Sequence, residues 1–464
     1  MSRRDAGPAR VLVVGSGGRE HALAWRLARE RAVEQVLVAP GSDGIAAEPR
    51  IACLPDVGPE DAPALVALAR EAAVDLVVIG PEAPLAAGIA DALLAADLPV
   101  FGPSAAAARI ETSKAFCREV AAAAGVPIAR GAAFRDPAAA TALARELDAA
   151  PGSSGVVVKA DGLAGGKGVT VCDDAATAEA AIARLFADPG TGGTTVVVEE
   201  RLSGPEASLI ALCDGHTALA LPPARDHKRL ADGDRGPNTG GMGAYSPVPD
   251  VPESAAAALI ETVHRPILAE LAARGTPFRG ALYAGLILTQ RGPVLLECNA
   301  RFGDPEAQVL LPRLALPLAP LLLAAARGEL AAAAAELGLQ GASLPVTDDA
   351  AVAIVLASAG YPAAPRAGDA IRGLDRLPAG ALIFHAGSRR DPDGVYRTAG
   401  GRVLAVVGLG SDLAAARRRA ERAADAIAFE GLQRRHDIAA DLPAASGASA
   451  TPRGAASGTA GGTR

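Results

Sequence analysis

The sequence predicts a mixed α/β and α+β chain in three units: an N-terminal open parallel sheet, a larger central domain and a small C-terminal mixed α/β domain. Three observations predict it. Across residues 10–110, short apolar runs alternate with Ala-rich helical stretches, and each run ends in a Gly- or Pro-bearing turn. After Ser113 the strand-like runs are spaced by Gly-rich loops instead. Finally, 464 residues, at roughly 150 per domain, suggest about three domains.

In chain order, Val11–Val14 reads as a buried strand, His21–Arg29 as a helix and Gln35–Ala39 as a second strand. A helical stretch near 62–72, a strand Asp75–Ile79, a helix near 85–95 and a strand Pro99–Phe101 complete the first unit, 10–110. Ligands of such sheets bind at the carboxyl ends of the strands, where Gly15-Ser16-Gly17-Gly18 and Gly80-Pro81-Glu82 lie. The central unit, 111–330, has strand-like runs at Val156–Lys159, Val169–Cys172, Val196–Glu199, Leu282–Thr289 and Val294–Cys298. In the unit 346–440, Ala350–Ala357, Ala381–His385 and Val403–Gly408 read as strands and Leu413–Ala428 as a helix. Residues 441–464 are Ala, Gly, Ser, Thr and Pro without periodicity, the composition of a disordered tail.

Composition narrows the function. Half the residues are apolar but only 3% are aromatic, so the cores must be built from Ala, Val, Leu and Ile. The longest apolar run, Leu314–Ala326, is broken by Pro317 and Pro320, whereas a membrane span needs about 20 uninterrupted residues. Met1–Arg10 is basic, but only Val11–Val14 follow before Gly15, too few for a signal peptide. Five scattered Cys without Cys-x-x-Cys spacing suit a reducing cytoplasm. A net charge of −7 argues against a nucleic-acid partner and for small-molecule chemistry. Of 45 basic residues only Lys114, Lys159, Lys167 and Lys228 are lysines. Where Arg is the default cation, a retained Lys suggests a need for a compact ammonium.

The glycine-rich segments carry the chemistry. Gly15-Ser16-Gly17-Gly18-Arg19-Glu20 follows a strand and opens a helix, but Glu20 stands where a dinucleotide fingerprint needs its third glycine. Such a turn, with Arg19, suits a single phosphate; a turn without ligand is the other reading. Residues 160–168, with Gly162, Gly165, Gly166, Lys167 and Gly168, depart from a Walker P-loop. Four glycines between two strands make a flap that can close over polyphosphate, with Lys159 pointing a second cation the same way. Glu199 to Leu202, followed by Glu206, form a connector of the kind that holds adenine and ribose, although surface glutamates are the plainer reading. Asp226-His227-Lys228-Arg229 and Gly236-Pro237-Asn238-Thr239-Gly240-Gly241 combine dense charge with a glycine-rich turn. In the segment 295–304, Glu297, Asn299 and Arg301 share one strand face. Two hard oxygen donors beside a guanidinium suit Mg²⁺ and a transferring phosphoryl group.

These segments resemble the phosphoribosylamine–glycine ligase (glycinamide ribonucleotide synthetase) family, ATP-grasp enzymes of purine biosynthesis. The resemblance runs from Val11 to Asp437, with GSGGREHALAW, GPEAPL, FGPS, SKAF, VKADGLAGGKGV, DHKR, GPNTGGMGAYSP, LYAGL and NARFGDPEAQ in family order. It implies a central ATP-grasp domain in which Lys114, Lys159, Gly162, Gly165, Gly166, Lys167 and Gly168 meet the ATP phosphates. Glu199 and Leu202 would border adenine, Glu206 would take ribose, and Glu297 with Asn299 would hold Mg²⁺ or Mn²⁺. Gly17, Gly18, Arg19, Glu20, Gly80, Pro81 and Glu82 would line the phosphoribosylamine site. Asp226, Lys228, Asn238, Arg301, Gly303 and Asp304 would receive glycine, with Arg301, Lys159, Lys167 and Asp226 acting in catalysis. Arg201 and Pro205 depart from the family pattern at the adenine connector. The resemblance implies a monomer whose partners are glycine, 5-phosphoribosylamine and ATP. The alternatives are another ATP-grasp carboxylate–amine ligase and a non-catalytic ATP-binding module.

Overall fold

The structure is a computed structural model and describes residues 7–163, 168–187 and 195–440. The expectations for Gly165, Gly166, Lys167 and the tail 441–464 fall outside these residues.

The first sheet is built from β1 (Arg10–Gly15), β2 (Gln35–Pro40), β3 (Ile51–Cys53), β4 (Leu76–Ile79) and β5 (Val100–Phe101), ordered β3-β2-β1-β4-β5 and parallel throughout. Leu12 and Val14 enter one core and Val11 and Val13 another. A strand covered on both faces reads as a continuous apolar run, which is why β1 is visible in sequence. The stretch expected as one helix near 85–95 is two, Glu82–Ala86 and Ile89–Ala95. Gly88 separates them at φ 80°, a left-handed conformation that glycine adopts without penalty. Strand order reverses between β1 and β4, so the turns after them, carrying Arg19 and Glu82, flank one crevice.

Helices Ala105–Thr112 and Lys114–Ala123 lead out of this unit. They meet at Ser113, whose Oγ accepts the Phe116 N–H at 3.1 Å. Next come β6 (Gly131–Phe134), β7 (Val156–Ala160), β8 (Val169–Cys172) and β9 (Val196–Glu200), an antiparallel sheet ordered β6-β9-β7-β8. The chain continues through β10 (Glu206–Asp214), β11 (Ala218–Ala220), β12 (Arg225–Asp226), β13 (Arg229–Ala231), β14 (Arg235–Asn238), β15 (Gly243–Ser246), β16 (Arg279–Thr289) and β17 (Gly292–Asn299). Of these, β11-β10-β16-β17 form a second four-stranded sheet. Glu206, read in the sequence as following a connector, begins β10. Every later residue of β10 is buried, so no alternation marks it as a strand.

The last unit contains β18 (Ala350–Ala357), β19 (Ala381–His385), β20 (Ser388–Arg390), β21 (Tyr396–Thr398), β22 (Arg402–Gly410) and the helix Leu413–Ala426. Its main sheet, β12-β15-β18-β22-β19, borrows two strands from the middle of the chain. β15 pairs antiparallel with β18, which fixes the Gly236–Pro247 segment against the C-terminal sheet. The helix lies close on β22, since a Cβ on Gly408 would stand 2.2 Å from the Ala416 carbonyl oxygen.

One core group makes stability depend on pH. His264 is fully buried and its Nε2 lies 3.2 Å from the Leu282 carbonyl oxygen. Burial outweighs that hydrogen bond and holds the ring at about 4, below the ordinary 6.5. The unfolded chain therefore takes up this proton as pH falls through about 6.5, while the folded protein does so only near 4, and stability is lost across that window. At about 1.4 kcal/mol per pH unit, the loss approaches roughly 3 kcal/mol. His264→Gln should lose less stability than the parent between pH 7 and pH 4.5, read as urea midpoints. Equal losses would remove His264 as the source.

Candidate active site

A single cavity of about 1040 Å³ lies where the N-terminal crevice, both antiparallel sheets and the C-terminal sheet meet. Lys114, Lys159, Gly162, Gly168, Glu199, Leu202 and Glu206 line one part of it. Arg19, Glu82, Asp226, Lys228, Asn238, Glu297, Asn299, Arg301, Gly303 and Asp304 line the rest. Gly17, Gly18, Glu20, Gly80 and Pro81 are not on the wall; they build the turns behind Arg19 and Glu82.

At the end of β7, the Lys159 ammonium pairs with Glu199 Oε2 at 2.5 Å and donates to the Leu296 carbonyl at 3.1 Å. That carbonyl is free because β17 bulges there: Leu295 pairs with Leu286 and Glu297 with Gly285, leaving Leu296 unmatched. Glu199 also receives the Arg118 guanidinium, which in turn donates to the carbonyls of Ala129 and Gly131. Lys114 donates to the Gly162 carbonyl at 2.9 Å, and burial pulls its ammonium below the ordinary lysine range. The first residue of the expected flap is thereby tied to the helix Lys114–Ala123.

Acidic groups crowd the middle of the cavity. Lys228 lies 3.2 Å from Glu206 and 3.4 Å from Glu297. Glu306 accepts from Ser208 Oγ at 3.0 Å, and that hydroxyl is 2.8 Å from the Tyr283 hydroxyl. Burial, reinforced by Glu306, Glu206 and Glu297, pushes Asp226 up to about 8 despite Lys228. Glu297 is held below the usual carboxylate range, first by Lys228 and then by Lys159 and Lys114. Glu297 and Asn299 offer hard oxygen donors to the cavity, the donor type that suits a divalent cation such as Mg²⁺. No group of three His, Cys, Asp or Glu suited to a metal occurs among the described residues. Two protein oxygens fit Mg²⁺, which commonly takes one or two carboxylates together with phosphate oxygens and water.

The guanidinium groups of Arg301, Arg19 and Arg402 each meet a carboxylate. Arg301 Nε lies 2.9 Å from Glu82, and its Nη2 lies 3.1 Å from Glu111. Arg19 pairs with Glu20 at 2.6 Å, reaches Glu82 at 3.8 Å and donates to the Phe302 carbonyl. Burial works against the charge on Glu82, but Arg301 and Arg19 outweigh it and hold the carboxyl at about 2. The Gly17 N–H donates to Glu20 at 2.7 Å. Asp304 receives Arg402 at 2.9 Å and Gln308 at 2.7 Å. Arg402 also donates to the Gly240 carbonyl, whose own N–H donates to the Tyr361 hydroxyl at 3.0 Å.

Sequence reasoning missed Glu111, Arg118, Glu306, Tyr361 and Arg402. Glu306 stands inside the NARFGDPEAQ motif and was available as a signal. Arg402 and Tyr361 belong to a distant unit with no local motif, so only tertiary structure brings them to the cavity.

The chain matches three family profiles: Phosphoribosylglycinamide synthetase, N domain (residues 9–111), ATP-grasp (A) domain (112–307) and C domain (351–441). It is 49% identical over 437 residues to a phosphoribosylamine–glycine ligase of Streptomyces coelicolor, covering 93% of this chain and 99% of the relative. A phosphoribosylamine–glycine ligase of Phenylobacterium zucineum is 48% identical, covering 92% of this chain and 98% of the relative. The crystal structure of the Thermotoga maritima phosphoribosylamine–glycine ligase superposes with a TM-score of 0.73 at 33% identity, covering 92% of this chain and 100% of that one. A biotin carboxylase domain from Hydrogenobacter thermophilus, 17% identical, covers 92% of each chain at a TM-score of 0.68 and shows the shared fold.

The contacts of Arg402 predict a measurable role. Its guanidinium joins Asp304, the Asp304 carbonyl and Gly240. Lys in its place keeps the charge but lacks the planar fork. Arg402→Lys should therefore lower stability, by roughly 1.5–3 kcal/mol if one charged hydrogen bond is lost. Urea unfolding checks this, and an unchanged midpoint would show that the planar fork adds no stability over a compact ammonium.

Proposed function

The chain belongs to the phosphoribosylglycinamide synthetase family, and from that premise we propose how its cavity performs the family reaction. It is an ATP-dependent ligase that forms a carbon–nitrogen bond, making glycinamide ribonucleotide from glycine and 5-phosphoribosylamine in purine biosynthesis. ATP and a divalent metal ion are its cofactors.

The observation that carries the assignment of residues is the single cavity, which brings Lys114, Lys159, Lys228, Glu297 and Asn299 together with Arg19, Glu82 and Arg301. Lys114, Lys159, Gly162 and Gly168 face the ATP phosphates; the roles expected for Gly165, Gly166 and Lys167 lie outside the described residues. Glu199 and Leu202 border adenine, and Glu206 takes the ribose. Glu297 and Asn299 hold Mg²⁺ or Mn²⁺, which when bound neutralises phosphate charge. Arg19 takes the sugar phosphate, with Glu82 beside it. Asp226, Lys228, Asn238, Gly303 and Asp304 form the glycine end. We further propose that the protein works as a monomer in the cytoplasm. No described helix is long and apolar enough to cross a membrane.

A glycine carboxylate is inert towards amines, so it must first be activated. One carboxylate oxygen attacks the γ-phosphorus of ATP, ADP leaves, and glycyl phosphate forms. The amine of phosphoribosylamine then attacks the acyl carbon, loses a proton and expels inorganic phosphate. Lys159 and Arg301 offset the charge that builds on the transferring group, which is the main demand of phosphoryl transfer. Among the assigned residues no Ser–His or Cys–His pair stands ready to take the phosphoryl group covalently.

Two measurements test this. Arg19→Ala should raise the KM for phosphoribosylamine by about 10- to 150-fold, the equivalent of roughly 1.5–3 kcal/mol for a charged hydrogen bond, while the KM for ATP stays nearly unchanged. A selective effect on ATP would overturn that assignment. Glycine labelled with ¹⁸O in its carboxylate should pass one labelled oxygen to the released phosphate. Unlabelled phosphate would mean that water or an enzyme group accepted the phosphoryl first, and glycyl phosphate would be excluded.

A further inference from the structure

We propose that Glu111 is a positioning residue for Arg301, holding its guanidinium in the orientation that the transferring phosphoryl group requires. The proposal rests on the reading of Arg301 given above. Glu111 lies in the last turn of the helix Ala105–Thr112, three residues before the phosphate-facing helix begins at Lys114. Its side chain is 5% exposed. One oxygen, Oε1, lies 3.1 Å from Arg301 Nη2. The other, Oε2, accepts the Ala300 backbone N–H at 2.7 Å. A single carboxylate thus fixes both the backbone just after Asn299 and the side chain that follows it.

Glu82 also pairs with Arg301, but differently. Its side chain is 35% exposed, and the oxygen that meets Arg301 at 2.9 Å also faces Arg19 at 3.8 Å. An anionic substrate oxygen entering the cavity can compete with Glu82 for both guanidinium groups. Glu111 is shielded from such exchange, because its second oxygen is committed to the Ala300 backbone. Glu111 therefore remains in place while the other partner of Arg301 changes. Gln in its place would preserve the shape but supply one acceptor oxygen where two donors must be met.

Steady-state ligase kinetics of Glu111→Gln, Arg301→Gln and the double variant, with urea midpoints for each, test the proposal. Glu111→Gln should lower kcat about 10- to 100-fold with the KM for ATP within about twofold, the scale expected when one preorganised electrostatic group is misplaced. In the Arg301→Gln background the same change should cost less than about threefold, because the group it orients is already gone. An equal loss in both backgrounds, or wild-type kcat in Glu111→Gln, would overturn the proposal. Near-normal turnover in Arg301→Gln alone would overturn the reading of Arg301 itself, and the proposal with it. If Glu111→Gln folds poorly, Glu111→Asp keeps the buried charge but is too short to make both contacts. It should lower the urea midpoint less than Glu111→Gln does, yet turn over at least about fivefold more slowly than the parent. Wild-type turnover in that variant would also overturn the proposal.

Discussion

The charge on the partly buried Arg301 is compensated by carboxylates from separate parts of the chain. Glu82 comes from the turn after β4, and Glu111 from the helix that leads into the central unit. Removing either partner would leave a buried charge under-compensated, which costs far more than an exposed pair is worth. The arrangement therefore fixes the relative placement of the first sheet, the linking helix and β17. Arg301 follows Glu297 and Asn299 by only a few residues, so the same pairs also locate the oxygen donors. Structure and site are held by one set of charges.

A second set of contacts works from the other side. The hairpin of β13 and β14 connects Lys228 to Asn238, and residues near the end of the described chain clamp it. Arg435, 1% exposed, pairs with Asp234 and Asp437 at 2.6 Å each. Asp437 accepts the Gly233 N–H, and Asp232 accepts that of His436. β12 and β15, which flank the hairpin, are themselves strands of the C-terminal sheet. Arg402 and Tyr361 reach Gly240 from the same unit. The C-terminal unit is thus the template on which the glycine-rich segment acquires its shape.

The parts legible in the sequence were those in which chemistry and local pattern coincide. β1, β2 and β4 are short apolar runs closed by turns, and the lysines, Glu297, Asn299 and Arg301 stand in dense motifs. β10 was not legible, because a strand buried along nearly its whole length has no alternation to detect. The pairing of β15 with β18 was not legible either, since it joins residues about a hundred positions apart with no local signature. At Gly17 the structure adds a partner that the turn alone did not reveal: the carboxylate of Glu20, three residues on, accepts the Gly17 N–H.

The scarcity of lysine now has a physical reading. In a chain with 41 arginines, the three described lysines all line the same cavity. Each reaches a narrow target. Lys159 fits between Glu199 and the carbonyl exposed by the bulge at Leu296. Lys228 stands between Glu206 and Glu297, and Lys114 reaches the Gly162 carbonyl. An ammonium donates in three directions from a single point, whereas a guanidinium needs a broad plane and partners spread along its edges. Arg301, Arg19 and Arg402 sit where such spread partners exist, each touching both a carboxylate and a backbone carbonyl. The two kinds of cation carry the same charge and differ in shape. Lys114 and Lys159 act as compact donors in the part proposed for polyphosphate and Lys228 in the part proposed for glycine, while Arg19, Arg301 and Arg402 spread over carboxylate and carbonyl partners.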